Sequence, residues 1–320
     1  MQLDVISYHD LVNFTALAKL EAALLAKGIV GISDVPEFEK KTRAYINAAR
    51  VFSALENTIK QQYVPDRDAG RTEGYELGAE WFKDQEGHWQ IDDKKASFYA
   101  FVPDDPRNKW PQEVDLKTSY QALGQLILAT GKLVLKAMGL DERMGLYHDQ
   151  FVGYGRMLHY HKIGDTANAN PNWCGAHFDH GMLTGLVPAY YFQNGKEVDE
   201  PNEAGLYITP TNHTHFEKIA ASDKSILFFQ IGEFGQIISD DRIRATKHLV
   251  RKATEGEIER FAFALFCDPD DSIVIKSASQ LTADSRYADH QSADGSITYG
   301  QWQVASYERY RANSYENKGL

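Results

Sequence analysis

Through the first half of the chain, apolar residues recur at three- and four-residue steps. Leu11, Phe14, Leu17, Leu20 and Leu24 make one helical stripe over residues 11–26, and Gly28 stands where that helix should end. Ile29-Val30-Gly31-Ile32 reads as a short buried strand, and Asp34 with Pro36 restarts a helix over about residues 41–59. A third helix is expected over residues 117–138, with Tyr120, Leu123, Ile127 and Leu135 on one side and Gly139 at its end. The stretch 64–114 is polar and turn-rich, with short aromatic strands such as Ser97-Phe98-Tyr99-Ala100-Phe101. The period then changes. Runs of β-branched and aromatic residues at 155–161, 206–209, 225–231, 244–250 and 260–266 alternate with turn signals, which predicts an antiparallel sandwich or jelly roll. Residues 189–204 are polar, carry Gly and Pro, and read as a long loop. A helical pattern returns over 299–313. The chain thus divides into a helix-rich region, 1–145, and a strand-rich core with a C-terminal helix, 146–320.

Composition narrows the partners. The 320 residues are 43% hydrophobic and 25% charged, which suits a globular chain with a substantial core and not a disordered or fibrous one. Lys+Arg total 34 against 45 Asp+Glu, a net charge of −11, so neither nucleic-acid phosphates nor anionic lipid is an expected partner. No apolar run approaches the roughly 20 residues of a membrane helix, and no basic-then-apolar leader opens the sequence. Two cysteines, Cys174 and Cys267, are too few for a disulfide scaffold. The expectation is a cytoplasmic protein, monomeric or weakly self-associating, that acts on a small molecule.

The candidate chemistry lies in the histidines: His159-x-His161, His177-x-Asp179-His180, His213-x-His215 and the isolated His248. Residues two apart in a strand share a face, so His177 and Asp179 are expected to project together, with His248 arriving from a distant strand. Two imidazoles and one carboxylate occupy one face of an octahedral Fe(II) and leave three positions open, where a closed four-ligand site would leave none. Downstream, Arg260 opens the run Arg260-Phe261-Ala262-Phe263-Ala264-Leu265-Phe266. Period two puts Arg260, Ala262 and Ala264 on one face, giving the guanidinium room to grip a carboxylate. A salt bridge to Glu257 or Glu259 is the competing role for Arg260. Arg251 is an odd number of residues from His248 and should face solvent. His159 and His161 are expected to line a pocket or be hydrogen-bonded, His180 to point away from the pair, and His213 and His215 to satisfy backbone groups in a turn. Trp81, Phe82 and Phe98 are read as packing residues or pocket lining.

In order along the chain, these segments resemble the isopenicillin N synthase-like branch of the Fe(II)/2-oxoglutarate oxygenases. Residues His177 to Thr184 resemble that family's H-x-D followed by a small residue and an "LT" strand. Ala204-Gly205-Leu206-Tyr207-Ile208 resembles its "GGLQV" strand, Ile231-Gly232-Glu233 its "NIGD" turn, and Ala245-Thr246-Lys247-His248-Leu249-Val250 its distal-histidine strand. Upstream, Gly74-Tyr75 with Gly78 and Glu80, then Asp93-Lys94, then Asn108-Lys109-Trp110-Pro111 follow its N-terminal half, and Tyr299-Gly300 opens a C-terminal helix. The resemblance implies a mixed α/β fold with a double-stranded β-helix (jelly roll) core buttressed by N-terminal and C-terminal helices. It implies Fe(II) on His177, Asp179 and His248, 2-oxoglutarate with its distal carboxylate on Arg260 and a contact from Tyr160 or a neighbouring histidine, and molecular oxygen. The implied reaction oxidises a small molecule by hydroxylation, desaturation or cyclisation.

The chain also departs from the family pattern. Ala262 replaces the serine of Arg-x-Ser, Lys95 stands where a glutamate is usual, and the 189–204 segment is long. Ala262 keeps open an Fe(II) oxidase of the isopenicillin N synthase type that uses no 2-oxoglutarate. A catalytically silent jelly-roll ligand-binding protein is the alternative from another class, and a zinc hydrolase fits less well because no general-base glutamate accompanies the H-x-D segment.

Overall fold

The computed structural model describes residues 1–78, 81–83, 89–91, 94–143, 150–162 and 171–310. The first half contains β1 (Val5–Ser7), α1 (Tyr8–Val12), α2 (Leu17–Lys27), β2 (Ile29–Ser33), α3 (Phe38–Ser53), α4 (Asn57–Lys60), β3 (Gly74–Leu77), β4 (Trp81–Lys83), β5 (Trp89–Ile91), β6 (Lys95–Val102), α5 (Leu116–Ala137) and α6 (Leu140–Arg143). The second half contains β7 (Phe151–Tyr160), β8 (Asn172–His177), β9 (Leu183–Leu186), β10 (Tyr190–Gln193), β11 (Lys196–Val198), β12 (Gly205–Thr209), β13 (Glu217–Lys218) and β14 (Leu227–Ile231). It closes with α7 (Glu233–Ile238), β15 (Lys247–Arg251), β16 (Ile258–Pro269), β17 (Val274–Lys276), α8 (Ser285–Ala288), β18 (Ser296–Thr298) and α9 (Tyr299–Tyr310).

Two sheets face each other. The larger runs β1-β2-β14-β9-β16-β7-β6-β3, with β10 on β16 and β11 on β10; the smaller runs β13-β12-β15-β8. Successive core strands cross between them: β7 in the large sheet, β8 in the small, β9 in the large, β12 and β13 in the small, β14 in the large, β15 in the small and β16 in the large. That winding is the double-stranded β-helix. The N-terminal region adds strands to the large sheet at both edges, β2 on β14 and β6 on β7, besides packing helices over it.

The alternation along β16 separates two interiors. Phe261, Phe263, Leu265 and Cys267 point to the helical side and join the core with Tyr45 and Phe52 of α3 and with Tyr120, Leu123 and Ile127 of α5. Arg260, Ala262 and Ala264 point the other way, into the space between the sheets. Helix α5 starts where the Asp115 carboxylate accepts the Thr118 N–H, and Gly139 follows it with φ +66°. Its Gly124 and Gly131 let it lie against the sheet, where added Cβ atoms would meet Val102 at 2.8 Å and Cys267 Sγ at 3.0 Å. No described helix is long and apolar enough to cross a membrane.

Three expectations from the pattern need correction. The stripe over 11–26 is two helices, α1 and α2, because Phe14 takes φ +55° and its backbone turns back on Leu11. The helix expected over 41–59 stops at Ser53 and resumes at Asn57. The 189–204 segment is no simple loop: β10 and β11 form a hairpin turned at Asn194-Gly195, both with positive φ, and β10 pairs with β16. Phe98 is core, packed on Phe52, Trp110 and Tyr120. Glu80 and Asp93 lie outside the described residues, as do the side chains of Trp81 and Phe82 and the end of the helix expected to run to 313.

Helix α7 begins against the turn that follows β8. The Gly232 N–H donates to the Met182 carbonyl at 3.1 Å, Glu233 N–H to Asp179 at 2.8 Å and Phe234 N–H to Gly181 at 3.0 Å. These are N–H groups a helix cannot satisfy internally. A Cβ on Gly232 would sit 2.2 Å from the Gly181 oxygen and 2.9 Å from the Asp179 oxygen. We expect Gly232→Ala to lower stability by about 1–3 kcal/mol. The measurement is the urea midpoint at unchanged slope; an unshifted midpoint would mean the turn gives way freely.

Candidate metal centre

His248 on β15 is registered directly opposite His177, the last residue of β8. Their ring centroids are 4.2 Å apart. Asp179 does not share the strand with His177, as period two would require; it lies just past the strand end, in the turn capped by α7. The turn still delivers its carboxylate between the imidazoles. Asp179 Oδ1 is 3.8 Å from His177 Nε2 and 3.8 Å from His248 Nε2. That is beyond hydrogen-bond reach, yet within the span of two ligands each about 2.1 Å from a shared ion.

Each contact around the triad fixes which atom faces inward. His177 Nδ1 lies 2.8 Å from the Gly175 carbonyl and His248 Nδ1 lies 3.0 Å from the Thr246 carbonyl. A carbonyl only accepts, so both Nδ1 atoms carry protons and both Nε2 atoms face Asp179 Oδ1. The other carboxylate oxygen, Oδ2, accepts from Thr184 Oγ1 at 2.7 Å and from Gln230 Nε2 at 2.6 Å. Thr184 and Gln230 are themselves cross-strand partners on β9 and β14, so one sheet supplies the histidines and the other holds the acid. Burial would raise the Asp179 carboxyl, but the two imidazoles and the two donors outweigh it and hold it below its ordinary value. Burial and the neighbouring His177 hold His248 down, to about 4, which keeps its Nε2 lone pair available at neutral pH.

Beyond the triad a cleft between the sheets runs to Arg260, walled by Leu158, Leu186, Val250, Ala262 and Ala264. Arg260 is 7% exposed and pairs with neither Glu257 nor Glu259, which hold Lys162 and His159 instead. Its guanidinium stacks 4.7 Å over the Tyr160 ring, and its Nη1 is buried with no hydrogen-bond partner. An orphaned buried guanidinium nitrogen at the end of a cleft is what a carboxylate would satisfy. Tyr160 is registered opposite Arg260 on β7 and lines the same cleft. Lys95 and Cys174 meet beside the triad, with Nζ 3.4 Å from Sγ.

The remaining candidates fall elsewhere. His159 binds Glu259 at 2.8 Å and stacks on Phe261 and His161, on the face away from the cleft. His180 packs on Tyr307 and its carbonyl accepts Trp302 Nε1 at 2.8 Å. Arg251 is exposed over Tyr207. His213 and His215 pair with the Glu217 carboxylate, not with backbone; the three form a second group of potential ligand atoms at an exposed turn. Sequence reasoning missed Gln230, although it is the single polar residue in the apolar strand β14, and Tyr191 and Glu200, which lay within the expected loop.

No family model matches the sequence, and no curated protein matches it. Solved structures do. A putative 2OG-Fe(II) oxygenase family protein from Caulobacter crescentus is similar with a TM-score of 0.72 and 19% identity, over 96% of this chain and 98% of that one. A full-length Neurospora crassa protein, in complex with alpha-KG and 5-formyluracil, gives 0.69 and 18% over 95% of each chain. JOX2, in complex with 2OG, Fe and JA, gives 0.68 and 16% over 95% of this chain and 84% of that one. The chain therefore has the fold of the 2OG-Fe(II) oxygenases along nearly its whole length, and it carries an H-x-D…H triad within it.

The turn bearing Asp179 is held from below by a second carboxyl. Asp268 Oδ1 accepts the Met182 N–H at 2.7 Å, reaching it past Gly181, whose added Cβ would lie 2.4 Å from that oxygen. Burial pushes the Asp268 carboxyl up, to about 6. The folded state thus binds this proton more tightly than the unfolded chain, so the group's contribution is complete below about pH 4 and lost as pH rises through about 6. Asp268→Asn keeps an acceptor for Met182 and cannot ionise. Between about pH 4 and pH 6.5 we expect wild-type stability to fall by about 2–3 kcal/mol relative to that variant, read from urea unfolding at each pH. A flat difference would show that Asp268 titrates normally.

Proposed function

We propose that this chain is a non-haem Fe(II)- and 2-oxoglutarate-dependent dioxygenase that oxidises a small organic molecule with release of succinate and CO2. The observation that carries the reading is the pairing of two features in one cleft: three ligand atoms on one side of a single point, and a buried arginine with an unsatisfied nitrogen at the far end. His177 Nε2, His248 Nε2 and Asp179 Oδ1 would hold Fe(II) on one face and leave the cleft side open. The metal, with 2-oxoglutarate as electron donor, would supply the reductive activation of O2 and hence an oxidising power toward the substrate that no side chain has.

The protein's own part is orientation and exclusion of water. Thr184 and Gln230 occupy Asp179 Oδ2 and so leave Oδ1 as its metal-facing atom. The carbonyls of Gly175 and Thr246 hold the imidazoles in the tautomer that presents Nε2. Arg260 would take the distal carboxylate of the co-substrate, and the apolar wall formed by Leu158, Leu186, Val250 and Ala264 keeps that end dry, which strengthens the charge pair.

Substrate space is available on the far side of the Asp179 turn. A cavity of about 970 Å³ opens between residues 67–78, the ends of β6 and β7, and α9, with Arg71, Phe101, Tyr154, Asp268 and Tyr307 among its lining residues. Asp268 and Tyr307 both touch the turn that carries Asp179, through Met182 and His180. Cys174 and Cys267 are not joined in a disulfide, which suits a reducing compartment such as the cytoplasm.

The deciding experiment is anaerobic titration of the Fe(II)-loaded protein with 2-oxoglutarate, followed by the weak visible charge-transfer band of the chelate. We expect the band in the wild type, at least a roughly tenfold weaker co-substrate affinity in Arg260→Ala, and loss of metal binding in His177→Ala and His248→Ala. Bound iron without the band would favour an oxidase that uses no 2-oxoglutarate, and full iron binding in either histidine variant would refute the ligand assignment.

A further inference from the structure

The wall beside Arg260 lacks a hydroxyl where one would be useful: Ala262, on the same face two residues on, has none to offer a carboxylate. The hairpin β10–β11 brings one from another direction. Tyr191 is registered directly opposite Arg260 in the β10·β16 pairing, as Tyr160 is in the β16·β7 pairing, so the arginine lies between two tyrosines on its neighbouring strands. We propose that Tyr191 is a co-substrate-binding residue whose hydroxyl, together with Arg260, clamps the distal carboxylate of a 2-oxo dicarboxylic acid. The inference rests on the 2-oxoglutarate reading above and extends it to a segment with no other assigned role.

Tyr191 is fully buried, and burial pushes its phenol above the ordinary value, so the hydroxyl keeps its proton. Arg260 Nε donates to Tyr191 Oη at 3.3 Å, leaving the guanidinium's Nη1 buried and unsatisfied. The tyrosine's own proton points at Glu200 Oε2, also at 3.3 Å. That is long for an O–H···O bond, whose usual length is about 2.7–2.8 Å. Glu200 does not depend on it, because Lys218 Nζ stands 2.8 Å from its other oxygen. A carboxylate entering against Nη1 would therefore find a guanidinium nitrogen without a partner and a hydroxyl free to turn from a poor acceptor to a better one.

The hairpin is built to hold that hydroxyl still. Along β10 the alternation sends Tyr190 and Phe192 outward to α3 and Tyr191 inward. Arg43 of α3 stacks 4.6 Å over Tyr190 and pairs with Glu197, while Arg50 stacks 3.8 Å over Phe192 and donates to the Gly195 carbonyl at 3.0 Å. Inside, the Tyr191 ring packs near Trp173. A residue pinned on both sides loses little entropy when a ligand arrives.

Tyr191→Phe removes the hydroxyl and keeps the packed ring. The test is anaerobic calorimetry on Co(II)-loaded wild type and variant, with 2-oxoglutarate and with 2-oxopentanoate, which lacks the distal carboxylate. We expect the variant to bind 2-oxoglutarate about tenfold more weakly and 2-oxopentanoate as the wild type does, and Ala262→Ser added to it to recover most of the loss. Unchanged 2-oxoglutarate affinity, or equal weakening for both acids, would overturn the role of Tyr191 alone. A metal-loaded wild type that binds neither acid would overturn the 2-oxoglutarate reading itself.

Discussion

Asp179 has to be ionised inside the protein, and most of the centre's surroundings are there to make that tolerable. A buried carboxylate costs several kcal/mol unless every lone pair that leaves water finds a partner. One oxygen is given to Thr184 and Gln230, cross-strand neighbours in the large sheet, and the other faces two imidazoles from the small sheet. The two sheets therefore meet at a single carboxyl group. Shifting β15 by one residue against β8 would turn His248 away from His177 and leave Asp179 with an uncompensated charge, so strand register and ligand geometry are one constraint.

The turn bearing Asp179 is fixed by elements from three parts of the chain. Helix α7 caps its carbonyls, Asp268 of β16 takes the Met182 N–H, and Trp302 of α9 donates to the His180 carbonyl. A buried ion pair lies behind them: Arg286 holds both oxygens of Glu233, at 2.6 and 2.8 Å, and lies 4.3 Å over the Trp302 ring. Glu233 is the first residue of α7, so the terminal helix, α8 and the cap on the metal turn form one connected unit. A buried pair of this kind adds little net stability compared with apolar packing, but breaking it strands a charge, which makes its geometry hard to change.

At the opposite end of the cleft the N-terminal region takes part in the site. Helix α3 both covers the large sheet and pins the β10–β11 hairpin through two arginines stacked on aromatic rings, and that hairpin sets Tyr191 beside Arg260. Strand β6, which extends the large sheet beyond β7, brings Lys95 to the metal side. The residues lining the cleft all come from the second half of the chain, and the first half supports it from behind, through α3 on the hairpin and Lys95 on Cys174.

The sequence by itself determined whatever depends on local period and on side-chain chemistry. The two faces of β16, the helix α5 with its flanking Gly139 and the change from helical to strand period were legible from spacing within one element, and the candidates His177, Asp179, His248 and Arg260 from residue type together with the ordered resemblance along the chain. Tertiary structure decided the rest. Asp179 reaches the imidazoles from a turn, not from a strand, because α7 folds that turn inward. Gln230 becomes the carboxylate's partner only through pairing with β9, and Tyr191 faces Arg260 only because a polar, Gly-bearing segment closes into a hairpin on the edge of β16. Those are contacts between residues far apart in the chain, and the pattern along one strand carries no information about which strand will lie beside it.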